Sequence, residues 1–202
     1  VIGSGGGGAD VAERQYGDYF AGDLHKISPY AIPVSIVGIV SSEISIALGL
    51  RGVSHVLSTG CTSSTDAIGY AAGLIRNGEA DVLMTGGADA PATRGMIFGF
   101  GRMRVVSTGF NDRPAEASRP FDRDRDGFVL GEGAWMLTLE REDRARARGA
   151  KIYATVDGYA STCDAYHRVQ MNPDGKEIIR AMETALARAG RPASSVGYVN
   201  FH

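Results

Sequence analysis

Cys61 is the residue best placed to act as a nucleophile. It stands in Ser58-Thr59-Gly60-Cys61-Thr62-Ser63-Ser64-Thr65-Asp66-Ala67. An apolar run over residues 53–58 predicts a short buried strand, Thr59-Gly60 a sharp turn, and residues 62–76 a helix rich in Ala and Ile that stops at Asn77-Gly78. The first N–H groups of a helix lack internal partners, and the helix dipole puts partial positive charge there. A cysteine at that point is favoured as a thiolate, the form that attacks a thioester. The same N–H groups could hold the resulting oxyanion. A lone cysteine is as easily a small buried hydrophobe; the strand–turn–helix setting is what points to chemistry. Gly69 and Gly73, eight and twelve positions on, would allow close packing of that helix.

Other residues carry weaker signals. His202 ends the chain, after a predicted strand over residues 196–201. His25, His55 and His167 show no metal-ligand spacing with the cysteines and read as structural or surface groups. Cys163, in Ser161-Thr162-Cys163-Asp164, reads as a plain thiol. Asp122-Arg-Asp124-Arg-Asp126-Gly127 opens like a calcium loop, but the bidentate glutamate is due at position 133, which is Gly133. Arg123 and Arg125 also oppose a cation, so a structural turn is expected, with Asp122 and Asp126 bonding backbone and arginines and Glu132 buried nearby. Gly3-Ser4-Gly5-Gly6-Gly7-Gly8 formally fits a dinucleotide-binding loop. That reading needs a strand before the glycines and a helix after them, and only Val1-Ile2 precede.

The elements that would position these groups follow an α/β pattern. A helix is expected over residues 9–20, a buried helix over 34–50, and the strand–helix–strand unit over 53–87 with its second strand at 81–85. Residues 91–126 have little periodicity; one short helix is expected at 93–102, and loops this long are usually functional. A strand at 134–140, a charged helix at 141–148, a strand at 152–160 and an amphipathic helix at 175–189 complete the pattern. The basic run in 141–148 interleaves with Glu142 and Asp143 and reads as a solvated face.

Composition fits a globular chain. Of 202 residues, 44% are hydrophobic and 22% charged, with a net charge of −2, which argues against nucleic-acid binding. Two cysteines give no disulfide framework, so a reduced, cytoplasmic protein is expected. No apolar run reaches the ~20 residues a membrane helix needs, and no basic segment leads an apolar one as in a signal peptide. Val1 in place of a methionine, and an end directly after an apolar run, suggest a piece of a longer protein.

Thr59-Gly60-Cys61-Thr62-Ser63-Ser64-Thr65-Asp66-Ala67-Ile68-Gly69-Tyr70-Ala71 resembles the active-site segment of β-ketoacyl-acyl-carrier-protein synthases. It is most similar to the catalytic alpha subunits of discrete polyketide synthases. Ser118-Arg119-Pro120-Phe121-Asp122 through Gly133-Ala134 resembles a second motif of that family, and Tyr198-Val199-Asn200-Phe201-His202 the start of a third. The three occur in family order.

The resemblance implies an α/β thiolase-like fold of layered αβαβα type. Residues 1–160 would form most of the N-terminal half and residues 161–202 the start of the C-terminal half. It implies that Cys61 accepts an acyl group and that His202, the first of two family histidines, stabilises the enolate formed when a malonyl carrier loses carbon dioxide. The second histidine, a lysine and a gatekeeper phenylalanine would lie beyond residue 202, so residues 1–202 alone are expected not to condense. Met96, Phe98, Phe100 and Phe128 would line the acyl pocket. No cofactor or metal is implied; substrates would arrive on a phosphopantetheinyl acyl carrier protein. A homodimer, or a heterodimer with a non-catalytic ketosynthase-like subunit, is implied, with the strand before Cys61 near the contact. Rival readings are another thiolase-fold acyltransferase, a non-catalytic partner subunit, which Cys61 disfavours, and a nucleotide-binding module resting on residues 3–8.

Overall fold

The computed structural model describes residues 1–202. Strands β1 (Ile2–Gly3), β2 (Val56–Leu57), β3 (Val82–Asp89) and β4 (Gly133–Glu140) form one sheet in the order β2-β1-β3-β4. β1 runs parallel to both neighbours, pairing Ile2 with Val56 and with Gly86. The predicted strand–helix–strand unit is therefore present, but its two strands are not adjacent. The crossover skips one position, and β1 fills it.

The helices are α1 (Ala9–Phe20), α2 (Ala31–Ser35), α3 (Ile39–Leu48), α4 (Ser63–Arg76), α5 (Arg94–Arg102), α6 (Glu142–Ala147) and α7 (Lys176–Ala189). The chain forms two compact units: Val1–Ala67 with Met84–Leu137, and Ile68–Leu83 with Thr138–His202.

The core of the first unit lies where α4 meets the sheet. Val1, Ile2, Ser4, Ala67 and Thr85 are buried there. Gly3 is required by the close approach: a Cβ on it would lie 2.3 Å from the Ser63 carbonyl carbon. The second unit packs the later part of α4 through Ala71, Ala72 and Leu74. Its Gly69 faces the Tyr159 ring, where a Cβ would come within 2.2 Å. Gly73 faces open space and makes no such approach.

Three expectations need correction. The single buried helix over 34–50 is two helices, α2 and α3, and only Ser41 of α3 is buried. The strands expected at 152–160 and 196–201 have no ladder partner in this chain, and neither segment is a strand. A strand is defined by its neighbour, whereas an apolar sequence supplies only the side chains. Backbone groups of the first segment are met by side chains instead: Arg76 donates to the Val156 carbonyl, and Arg188 to the Tyr159 carbonyl at 2.7 Å. Gly158 lies against α7, where a Cβ would meet the Ala185 carbonyl at 2.1 Å.

Candidate active site

Cys61 is exposed and sits in a short 3-10 turn, Gly60–Thr62, between β2 and α4. Gly60 adopts a left-handed φ of +67°, which a glycine takes without a Cβ penalty. The α-helix proper begins two residues after Cys61, and the Ser63 amide is already bonded to the Gly60 carbonyl. That amide is not available to an oxyanion, contrary to expectation.

The turn is strapped from α4. The Thr59 amide donates to Ser63 Oγ at 2.9 Å, and the Ser63 hydroxyl donates to the Gly60 carbonyl at 2.6 Å. The Thr59 hydroxyl donates to Asp66 Oδ2 at 2.5 Å, and the Thr62 hydroxyl to the same oxygen at 2.9 Å. Ser63 and Asp66 are buried. The residue types alone missed this network. The usable signal was the spacing of hydroxyl residues 59, 62 and 63 ahead of an aspartate at 66, which lies one helical turn beyond Thr62.

The glycine loop does have a strand before it and a helix after it, as a dinucleotide site requires. Its amides, however, hold a carboxylate of the same chain. Gly5 and Gly6 donate to Asp89 Oδ1 at 3.1 and 2.8 Å, and the Ser4 hydroxyl donates to it at 3.0 Å. Gly8 also lies against α2, where a Cβ would meet the Val34 carbonyl at 2.1 Å. The loop is a packing element whose anion-binding amides are occupied by Asp89.

Of the expected pocket residues, Phe100 and Phe128 meet edge to face, with ring centroids 5.2 Å apart. Met96 lies one turn before Phe100 on the same face of α5. Phe98 takes no part in that contact and is 71% exposed. Helix α5 starts at Thr93, whose hydroxyl caps the Met96 amide. Glu13 of α1 accepts the Gly95 amide at 2.8 Å, and Glu132 accepts the Ala92 amide at 3.1 Å. Glu132 is exposed, not buried. Thr93, then the Gly95 amide, holds the Glu13 carboxyl below the usual range.

The segment after α5 is held by an isolated parallel bridge, Val106 with Phe128. Asp122 accepts the Asp124 amide at 2.7 Å and pairs with Arg119 at 3.2 Å. Asp126 Oδ2 accepts the Thr108 and Gly109 amides at 2.9 and 2.7 Å. Both carboxylates are thus spent on backbone amides of their own turns and, for Asp122, on Arg119. The Ser107 hydroxyl, then the Gly109 and Thr108 amides, hold the Asp126 carboxyl at about 2. The Ser107 hydroxyl makes no formal hydrogen bond, so the two amides carry most of this hold. Its pKa is lower when folded than the ordinary 3.8. The stability it contributes is therefore present above 3.8 and is lost as pH falls through about 2. Carboxyl NMR should place the Asp126 titration near 2, with loss of Thr108 and Gly109 amide protection over the same range. A midpoint near 4 would remove this role.

His202 lies in the second unit, exposed at the end of an irregular segment, and Cys163 is exposed in the same unit. No helix is long and apolar enough to cross a membrane.

Residues 1–145 match the N-terminal domain of β-ketoacyl synthases, and residues 153–202 match the C-terminal domain. The chain belongs to the β-ketoacyl synthase family. It is 44% identical over 202 residues to 3-oxoacyl-[acyl-carrier-protein] synthase 2 of Vibrio cholerae, covering 100% of this chain and 49% of that protein. Over 179 residues it is 42% identical to the mitochondrial 3-oxoacyl-[acyl-carrier-protein] synthase of Arabidopsis thaliana, covering 89% of this chain and 39% of that protein. The chain thus spans about half the length of the curated relatives it matches, or less.

Among solved structures, it superposes on a β-ketoacyl synthase from Burkholderia phymatum with a TM-score of 0.90 at 32% identity, covering 100% of this chain and 49% of that one. It superposes on a ketosynthase in complex with its type II polyketide acyl-carrier protein, bound to the hexaketide, with a TM-score of 0.91 at 30% identity. That match covers 98% of this chain and 50% of that one. The fold of this β-ketoacyl synthase chain is the α/β thiolase-like ketosynthase fold.

Proposed function

We propose that the protein carrying this chain performs decarboxylative Claisen condensation, joining an acyl group held on Cys61 to a malonyl unit on an acyl carrier protein. The observation that carries this reading is the exposed Cys61 thiol on a strapped turn at the entrance to α4. The Cys61 thiolate attacks the acyl thioester carbon, and the carrier's thiol leaves. The malonyl group then loses carbon dioxide, and the electron pair so freed attacks the Cys61 thioester, releasing the thiolate. His202 stabilises the intervening enolate oxygen. The duty is chain elongation in fatty-acid or polyketide synthesis.

The partners follow from the same reading: an acyl carrier protein, and either a second copy or a non-catalytic ketosynthase-like subunit. One structural neighbour is a ketosynthase with its acyl-carrier protein, and another is a ketosynthase in complex with its chain length factor. The chain needs no cofactor of its own, works in the cytoplasm, and divides at residues 160–161 between a first and a second thiolase-like half.

Mass spectrometry of the full-length protein after incubation with an acyl-loaded carrier tests the reading. One acyl mass on the Cys61 peptide is expected; an adduct only elsewhere overturns it. Met96, Phe98, Phe100 and Phe128 are proposed to line the acyl pocket, and the Phe100–Phe128 contact favours those two. Phe128→Ala should lengthen the longest acyl group accepted, read as product chain length. Unchanged selectivity removes Phe128 from the pocket.

A further inference from the structure

We propose that Asp66 is a positioning residue for the Cys61 thiol, acting through the hydroxyls of Thr59 and Thr62. This rests on the reading of Cys61 as the acyl acceptor and adds the group that aims it.

Thr59 and Thr62 lie two residues before and one residue after Cys61, and both donate to one carboxylate oxygen. Hydrogen bonds to an ionised acceptor are short and about twice as strong as neutral ones. Asp66 is 5% exposed, so water competes little for that oxygen. The carboxylate therefore fixes both ends of the turn at one point on α4. The turn needs such a brace. Gly60 has a left-handed φ of +67° and nothing within 4 Å of its Cβ direction, so packing at that residue does not fix its conformation. The Cys61 side chain is exposed, so its aim depends on the backbone that carries it.

The contact also explains why a polar residue is buried in the first turn of α4. A helix face that served packing alone would carry a small apolar residue there. An aspartate at this point is satisfied by hydroxyls from the turn, and it exchanges apolar burial for control of the turn's geometry.

A misplacement of about 1 Å in a reacting atom costs on the order of 10²-fold in rate. Thr59→Val and Thr62→Val remove the hydroxyls at nearly constant volume, and Asp66→Ala removes the acceptor. In the full-length protein, each should slow acyl-Cys61 formation at saturating acyl carrier by about tenfold to a hundredfold. The carrier concentration for half-saturation should stay unchanged. Alkylation of Cys61 by iodoacetamide, a small reagent that approaches from many directions, should stay within about twofold. Thr59→Ser keeps the hydroxyl and should restore the rate.

Wild-type saturated rates in both valine variants overturn the proposal. So does a parallel loss of acylation, alkylation and the thermal transition in all variants, Thr59→Ser included, because that pattern reports general unfolding. Absence of any acyl adduct on Cys61 in the wild-type protein is a separate result. It would sink the condensation reading itself.

Discussion

Cys61→Ala should end acyl loading in the full-length protein and lower condensation by about a thousandfold or more, the scale seen when a covalent nucleophile is deleted. The argument is one of atoms. The proposed route forms its carbon–carbon bond on an acyl group parked on a protein atom after the first carrier's thiol has left, so deleting that atom removes the route. The exposed sulfur of Cys61 is the group that the strapped turn presents. Exposed Cys163 provides the internal control. Cys163→Ala should load and condense as the wild type does. The measurement is intact-protein mass with carrier alone, then product formation with malonyl carrier added. Full loading in Cys61→Ala, or loading lost in Cys163→Ala, reverses the assignment.

Gly86→Ala should be the most damaging substitution that touches no reacting group. Gly86 has φ +146°, a conformation essentially restricted to glycine, and a Cβ there would lie 2.0 Å from the Trp135 carbonyl oxygen. Trp135 and Met136 meet that Cβ with backbone atoms of β4, the strand next to β3, and not with the end of a flexible side chain. Strain and clash together should cost about 3–5 kcal/mol, which for a chain of this size lowers Tm by roughly 10 °C or more. Gly73→Ala is the contrast. Its Cβ meets nothing within 4 Å, on the interior of α4, so it should be neutral or gain up to about 1 kcal/mol from the better helix former. Thermal melts of the two variants side by side decide the matter; equal Tm values would refute the packing argument.

Much of this was legible in the residues. The run into Thr59-Gly60, the helix that follows and the apolar 82–89 stretch are local patterns, and local patterns survive folding. The place of β1 was not legible, because two residues carry no periodicity and their partners lie far along the chain. The 152–160 and 196–201 segments were over-read for the related reason that a ladder needs a second strand. At the site, Cys61 stood out by type. Its supports did not, because Thr59, Thr62 and Asp66 are ordinary polar residues until the turn brings their oxygens to one point. The glycine loop was ambiguous in sequence for a similar reason. Only the position of Asp89, over eighty residues away, shows what its amides hold.

The central slot of the sheet has a consequence for synthesis. Ile2 and Gly3 leave the ribosome before either neighbour, and they first gain a mate when Val56 and Leu57 emerge. Gly86 and Gly87 follow some thirty residues later. Until then the growing polypeptide carries a bare strand edge and an apolar face with no cover, the kind of surface that sticks to other chains or is shielded by a chaperone. Slow translation ahead of residue 87 would lengthen that vulnerable interval, and the yield of native protein would depend on how fast the ribosome reaches it.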